Sequence, residues 1–411
     1  MSDLEILVPD ERAASLDEVV GILSQPSPPR LPFSDSTVEF CAAFSQAIFQ
    51  DREAARYPEL AALAFWMRKA EIIRLRSDFE RAVRADTVAA PRGLVFHVPP
   101  LNVDTIFVYS WLLSALAGNR SLIRLSSTRT PQAEILLRLW RQLLAQAPPE
   151  MQQATVVVRY GHSEEVTRAF SMACDLRVIW GGDQTVSAIR SAPLRPHARD
   201  LTFPDRSSLC VIHAGRYGEL SEDGREKLAE QFFNDAYWFD QLACSSPREL
   251  VWCGESEPVR AASRDFWTAL GACVRRRQHQ SPAAVHMRKL VFACESILDL
   301  PVSEYRRVAE TTVLQLDSPE PLSAEHCGGG LFFERSIRQL GDLAPVLQRR
   351  HQTLTHFGFP RLELIELARL LAGRAIDRIV PIGQALQFHR FWDGYDLLQE
   401  FCRLTYCEAA E

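Results

Sequence analysis

From Gly93 to Trp180 the chain alternates short apolar runs with amphipathic stretches, and no other feature narrows its possible folds as much. Residues 93–98 form an apolar run of strand type bounded by Arg92 and by Pro99-Pro100. The spacing then predicts a helix over 106–117, closed at Gly118-Asn119. A strand over 121–125, a helix over 131–145, a strand over 154–159, a helix over 163–173 and a strand over 176–180 follow. This is the pattern of a parallel sheet with right-handed crossovers, an α/β fold. Such sheets bind nucleotides at the carboxyl ends of their strands. Two strand ends carry suitable residues. Arg124 with Ser126 and Ser127 offers a cation and two hydroxyls to a phosphate, although a solvated strand end has the same composition. Trp180-Gly181-Gly182-Asp183 is a glycine-bearing strand-to-helix turn without the GxGxxG pattern, and also reads as simple punctuation.

A second set of elements centres on Cys244. Leu228, Phe232, Ala236, Phe239 and Ala243 predict a helix running into Cys244-Ser245-Ser246-Pro247, after which Leu250-Val251-Trp252 reads as a buried strand. A thiol at a helix-to-strand turn is a candidate nucleophile. The alternative, a cysteine serving as a small buried hydrophobe, stays open on the residues alone. Further along are a strand over 209–213, a helix over 258–276, a glycine turn at 328–330 leading into a strand, and helices over 340–350 and 362–371. The stretch 378–383 then leads to a strand-like end at 404–407, of a kind that can pair with another subunit's sheet edge.

The net charge of −6 argues against a nucleic-acid partner. The first residues lack a signal-peptide core and no segment reaches the ~18 apolar residues of a membrane span, so a cytoplasmic location is expected. Ten cysteines without CxxC pairs and ten histidines without HExxH spacing argue for reduced thiols and no metal. Residues 1–35, rich in proline from Pro26 onward, read as an irregular arm, and 38–84 as a helical lead-in.

AGNRSLIRLSSTRTP (117–131) resembles a segment of the aldehyde dehydrogenase superfamily. GLVFHVPPLNVD, DLRVIWGGDQTV, FDQLACSSP and DRIVPIGQALQFHRFWDG, with HQTLTHFGFP, narrow the resemblance to acyl-CoA reductases typified by LuxC, the fatty acyl reductase of bacterial bioluminescence. The likeness runs from about residue 90 to the C-terminus.

That resemblance implies an aldehyde-dehydrogenase-like fold. Residues 1–89 would be the arm and lead-in, and 90–200 a Rossmann-type NADPH-binding domain. Residues 201–360 would form an α/β catalytic domain, with 361–411 a C-terminal segment returning to the cofactor domain or to an oligomer interface. It implies Cys244 as nucleophile and Asn102 as an oxyanion-stabilising amide. Arg124, Ser126 and Ser127 would face the adenine ribose, and Gly181, Gly182 and Asp183 would form the cofactor turn, with Ser187 replacing its second glycine. The implied reaction is NADPH-dependent reduction of a fatty acyl thioester, on CoA or delivered by a carrier or synthetase partner, to the aldehyde, by a homo-oligomer. Thr202 stands where hydrolytic aldehyde dehydrogenases carry a glutamate base, and Leu101 and Asp104 depart from the family's residues around Asn102. A cysteine acyltransferase or thioesterase without hydride chemistry, and a non-catalytic scaffold binding an acyl-carrying partner, are the alternatives.

Overall fold

A computed structural model of the chain describes residues 4–28, 30–100, 103–317, 322 and 325–408. The chain forms two compact units, residues 1–204 with 388–411 and residues 205–387.

In the first unit a seven-stranded sheet has the spatial order Arg12–Ala13, Glu5–Val8, Thr155–Arg159, Arg120–Leu125, Leu94–Val98, Leu176–Trp180 and Arg199–Phe203. The last five of these strands are mutually parallel. Their order puts the first strand of the βαβ series, Leu94–Val98, in the middle: the chain crosses twice to one side, to Arg120–Leu125 and Thr155–Arg159, and then returns to Leu176–Trp180 on the other. A topological switch point therefore lies at its carboxyl end. All five residues of this strand are buried, as befits a parallel strand covered on both faces.

The amino-terminal stretch is not the irregular arm its prolines suggest. Glu5–Val8 adds antiparallel to Thr155–Arg159, and Leu16–Ser24 is a helix whose N-cap Ser15 Oγ accepts the Glu18 N–H at 3.2 Å. The proline cluster starts at Pro26, after that helix has ended, and so does not prevent it.

Asn119 ties the sheet to the chain's end. Its side-chain oxygen accepts the N–H groups of Arg92 (2.7 Å) and Gly93 (3.0 Å), while its amide donates to the carbonyls of Ser114 (3.1 Å) and Phe401 (2.9 Å). The terminal strand Cys402–Tyr406 pairs antiparallel with Thr87–Pro91 of the same chain.

The second unit has its own seven-stranded sheet, ordered Val302–Val308, Thr311–Leu316, Leu331–Ile337, Pro247–Cys253, Ser207–His213, His351–Phe357 and Arg378–Pro381. Only the pair Val302–Val308 and Thr311–Leu316 is antiparallel; the other neighbours are parallel. One face is closed by the helices Glu222–Tyr237 and Ser256–Arg276 through an edge-to-face aromatic cluster. Phe232 and Trp252 stand 5.2 and 5.9 Å from Phe266. Glu334 is buried in that layer and accepts from Trp252 Nε1 (2.6 Å), Trp267 Nε1 (2.7 Å) and Ser263 Oγ (2.7 Å), with Arg306 as its counter-ion.

Residues 340–350, expected to be helical, contain only the 3₁₀ turn Leu340–Leu343, opened by a capping box of Gln339 and Asp342 and followed by Pro345, which does not continue a helix. The following stretch is the strand His351–Phe357.

Candidate active site

The helix Glu222–Tyr237 ends well before Cys244, unlike the continuous helix that periodicity suggests. Asp240 (φ 48°) and Gln241 (φ 61°) turn left-handed, and neighbouring groups hold the reversal. The buried Gln241 amide donates to the carbonyls of Pro247 (3.0 Å) and Leu331 (2.9 Å), and its oxygen accepts Gly330 N–H at 2.7 Å. Asp240 O accepts Gly329 N–H at 2.8 Å. A Cβ on Gly328, where φ is +68°, would lie 2.6 Å from Asp240 O, so the glycine run at 328–330 is the seat of this turn. Cys244 then occupies a separate turn closed by Ser246 N–H to Ala243 O at 3.0 Å, ahead of the strand Pro247–Cys253.

Three parallel strands bring the partners of Cys244 to one corner. Their register sets Ser208 beside Pro247, and His351 beside Ser207. Ser208 Oγ donates to the Cys244 carbonyl at 2.7 Å and accepts Thr353 N–H at 3.1 Å. The Gln352 amide Nε2 donates to Cys244 Sγ at 3.4 Å, a normal length for a sulfur acceptor. Gln352 is wholly buried, and its oxygen accepts Thr353 Oγ1 at 3.3 Å. Arg248, largely withdrawn from solvent, interacts electrostatically with Cys244 and Asp205; burial lowers its pKa and these two groups oppose that.

The buried cysteines are chemically quiet by comparison. Cys294 and Cys407 are exposed and the other seven are buried, leaving Cys244 alone at intermediate exposure. Burial pushes the Cys253 and Cys327 thiols up to about 11 and those of Cys174 and Cys402 up to about 12. A thiol so placed stays protonated and unreactive.

In the first unit, Arg124 sits at the carboxyl end of Arg120–Leu125, with its guanidinium 4.9 Å from the centre of the Tyr160 ring and Nη2 donating to Gly161 O at 3.4 Å. Its Nε is buried and has no hydrogen-bond partner among the described residues. Ser126 Oγ accepts Thr128 N–H at 2.9 Å, and Ser127 is exposed. Gly182 is the N-cap of the helix Asp183–Arg190, with Asp183 in its first turn, while Gly181 N–H donates to Phe203 O at 3.2 Å. These groups therefore share the carboxyl edge of one parallel sheet, to either side of Leu94–Val98. An arginine with an unfilled buried donor, hydroxyls and a helix start are donors suited to the phosphates of a dinucleotide.

Asn102 and Leu101 lie outside the described residues. Asp104 is held by Thr130 Oγ1 at 2.7 Å, which fixes the segment following them to the start of the helix Pro131–Leu144. Thr202 lies in the edge strand Arg199–Phe203 of the first unit. Gln352, Ser208 and Arg248 escaped sequence reasoning. The available signal was the period-two Gln-Thr-Leu-Thr-His-Phe run ahead of Gly358 and Pro360, which marks a strand. Among the described residues no helix is long and apolar enough to cross a membrane, and no group of three or more His, Cys, Asp or Glu could hold a metal ion.

A putative aldehyde dehydrogenase from Burkholderia cenocepacia superposes over 98% of this chain and 95% of its own length, with a TM-score of 0.66 at 14% identity. The NAD-dependent aldehyde dehydrogenase of Sinorhizobium meliloti superposes over 95% of this chain and 86% of its own length, also at 0.66 and with 13% identity. The fold is thus that of the aldehyde dehydrogenases. A family model described as acyl-CoA reductase (LuxC) matches residues 75–291, just over half of the chain, and the chain belongs to that family. The long-chain acyl-protein thioester reductase of Aliivibrio fischeri is 27% identical over 174 residues, 42% of this chain and 34% of that relative. Long-chain acyl-protein thioester reductase 2 of Photobacterium leiognathi is 26% identical over 171 residues, 41% of this chain and 34% of its own length. The match spans about a third of the length of these curated relatives.

Proposed function

We propose that the chain reduces fatty acyl thioesters to aldehydes with NADPH, through an acyl-enzyme on Cys244. The observation that carries this reading is the half-exposed Cys244, whose sulfur receives a hydrogen bond from a buried amide, in a chain of the LuxC family. The Cys244 thiolate attacks the acyl carbonyl carbon and the carrier's sulfur departs with the electron pair of the broken bond. One thioester replaces another of similar energy, so sulfur is an apt nucleophile. Asn102 is the amide proposed to stabilise the oxyanion, a contribution on the order of 3 kcal/mol for one such donor.

Arg124, Ser126 and Ser127, with Gly181, Gly182 and Asp183, are the residues proposed to hold the dinucleotide. The unfilled Arg124 Nε supports a 2′-phosphate there, and hence NADPH over NADH. When bound, the nicotinamide supplies hydride. The chain's own part is to hold the acyl group as a thioester and keep water from it. Thr202 supports that role, since a threonine at this place cannot activate water as a glutamate does. Cys244 leaves as thiolate when the aldehyde forms.

Long-chain acyl groups are favoured by the names of the curated relatives, with the acyl group arriving on CoA or on a protein. The test is NADPH consumption by purified protein offered acyl-CoA thioesters of graded length, with aldehyde measured in the same samples. Stoichiometric aldehyde supports the proposal. Acyl transfer or hydrolysis without NADPH loss would instead identify a transferase or thioesterase.

A further inference from the structure

Cys244 requires a group that favours its thiolate, and the geometry around the sulfur supplies one. Gln352 lies in the strand next to the edge of the second sheet, fully buried, with its amide nitrogen 3.4 Å from Sγ and its oxygen engaged by Thr353 Oγ1 at 3.3 Å. The amide nitrogen is the end that faces the sulfur, with the oxygen turned to the Thr353 hydroxyl. A neutral thiol is a weak acceptor, whereas a thiolate accepts a charge-assisted hydrogen bond of roughly twice the strength, so a fixed N–H donor selects the anion.

We infer that Gln352 is a positioning residue that holds Cys244 as the thiolate before acyl transfer and receives the sulfur's charge again when the aldehyde departs. The chemistry rests on the thioester-reductase reading. In the first step Sγ bonds to the acyl carbon and the carrier's C–S bond breaks, its electron pair leaving on the carrier sulfur, which takes a proton from solvent. In the last step, after reduction by the nicotinamide hydride donor, the Sγ–C bond breaks, its electron pair returns to Sγ, and the hydroxyl proton is released. Sγ carries negative charge at both ends of the cycle, where the Gln352 N–H can act, and is an uncharged thioester sulfur between them.

The charged and titratable groups near this corner do not duplicate the effect across the working pH range. Arg248 contributes a permanent positive charge that also favours the thiolate, balanced in part by Asp205. Arg350 precedes the Gln352 strand and stays charged. Burial holds His351 neutral, lowered to about 4, and His326 neutral, lowered to about 3. Cys327 is pushed up to about 11 by burial. His351, His326 and Cys327 therefore do not change charge between roughly pH 6 and 9, the range in which a catalytic thiol is titrated.

The test is the pH profile of iodoacetamide alkylation at Cys244, followed peptide by peptide by mass spectrometry in the full chain. Wild type is compared with Gln352→Leu and the isosteric Gln352→Glu, and the exposed Cys294 and Cys407 serve as internal standards. The Cys244 midpoint should rise by about one pH unit in Gln352→Leu and at least as far in Gln352→Glu, which is roughly tenfold slower alkylation at neutral pH. The two standards should keep their midpoints. A Cys244 midpoint within roughly 0.3 unit of wild type in the folded variants overturns the inference. If Gln352→Leu fails to fold, Gln352→Glu, of the same size, decides alone. Alkylation needs no acyl thioester, so the two readings fail separately. A shifted midpoint without NADPH consumption removes the reductase and leaves the role of Gln352 in thiol ionisation, whereas an active reductase with unshifted variants removes Gln352 only.

Discussion

Ser208 Oγ donates to the Cys244 carbonyl at 2.7 Å while accepting the Thr353 N–H at 3.1 Å, so one buried hydroxyl couples the Cys244 turn to the strand that carries Gln352. Ser208→Ala leaves a carbonyl and an amide without that partner. The expected cost is about 1–3 kcal/mol of stability, measured by urea denaturation, with slower alkylation of Cys244 as its turn loosens. A Ser208→Ala protein with unchanged denaturation midpoint and alkylation rate would show that the hydroxyl is dispensable.

Arg124 should set the choice of cofactor. A charge-assisted hydrogen bond to a phosphate is worth about 1.5–3 kcal/mol, so Arg124→Ala should weaken NADPH binding at least about tenfold and NADH binding much less. Quenching of tryptophan fluorescence by each nucleotide measures both. Equal losses would remove Arg124 from the selection.

Glu334 is the shared acceptor of two buried indoles and a serine hydroxyl, with Arg306 as its counter-ion. Glu334→Leu strands these donors and an arginine in the core, at an expected cost of about 3–5 kcal/mol. The loss should be visible as a lower unfolding midpoint reported by tryptophan fluorescence. Glu334→Gln, which keeps one acceptor, should lose less.

Asp235 is almost completely buried and accepts the N–H groups of Gly383 (2.6 Å) and Ala385 (2.9 Å). Burial pushes its carboxyl up to about 7, against the pull of those two N–H groups and of Arg378. In the unfolded chain the same carboxyl titrates near 3.9. Between these values the native state holds a proton that the unfolded state has lost. The contribution to stability is therefore complete below about pH 4 and disappears as pH rises through about 7. The urea midpoint should fall over that window, by at most about 1.4 kcal/mol per pH unit from this group. Asp235→Asn should flatten the fall; an unchanged slope would mean that Asp235 is ionised throughout.

The four central strands of the first sheet's βαβ series were readable because they are short, apolar and separated by amphipathic helices, whereas its strands Glu5–Val8, Arg12–Ala13 and Arg199–Phe203 were not. The 176–180 strand, for example, coincides with Leu176–Trp180. The corner around Cys244 was less legible. Periodicity carried the preceding helix through Ala243, whereas the Gln241 side chain competes for backbone partners and reverses the chain at Asp240. The strand His351–Phe357 hid behind its composition, since His351, Gln352, Thr353 and Thr355 are all buried and a polar run does not look like an interior strand. The glycine run at 328–330 reads in the sequence as a turn into a strand, and its purpose is visible only against Asp240. Local pattern thus offers Cys244 only as a candidate nucleophile, and its partners come from strands distant in sequence that only the parallel register brings together.

The most direct measurement is the mass of the intact protein after mixing with a long-chain acyl-CoA, first without and then with NADPH. The account predicts a single acyl adduct, mapped to Cys244 and absent from Cys244→Ala, that persists without NADPH and is discharged as free aldehyde once NADPH is added. An adduct that hydrolyses to fatty acid at the same rate with or without NADPH, or an adduct that forms equally on Cys244→Ala, would contradict it.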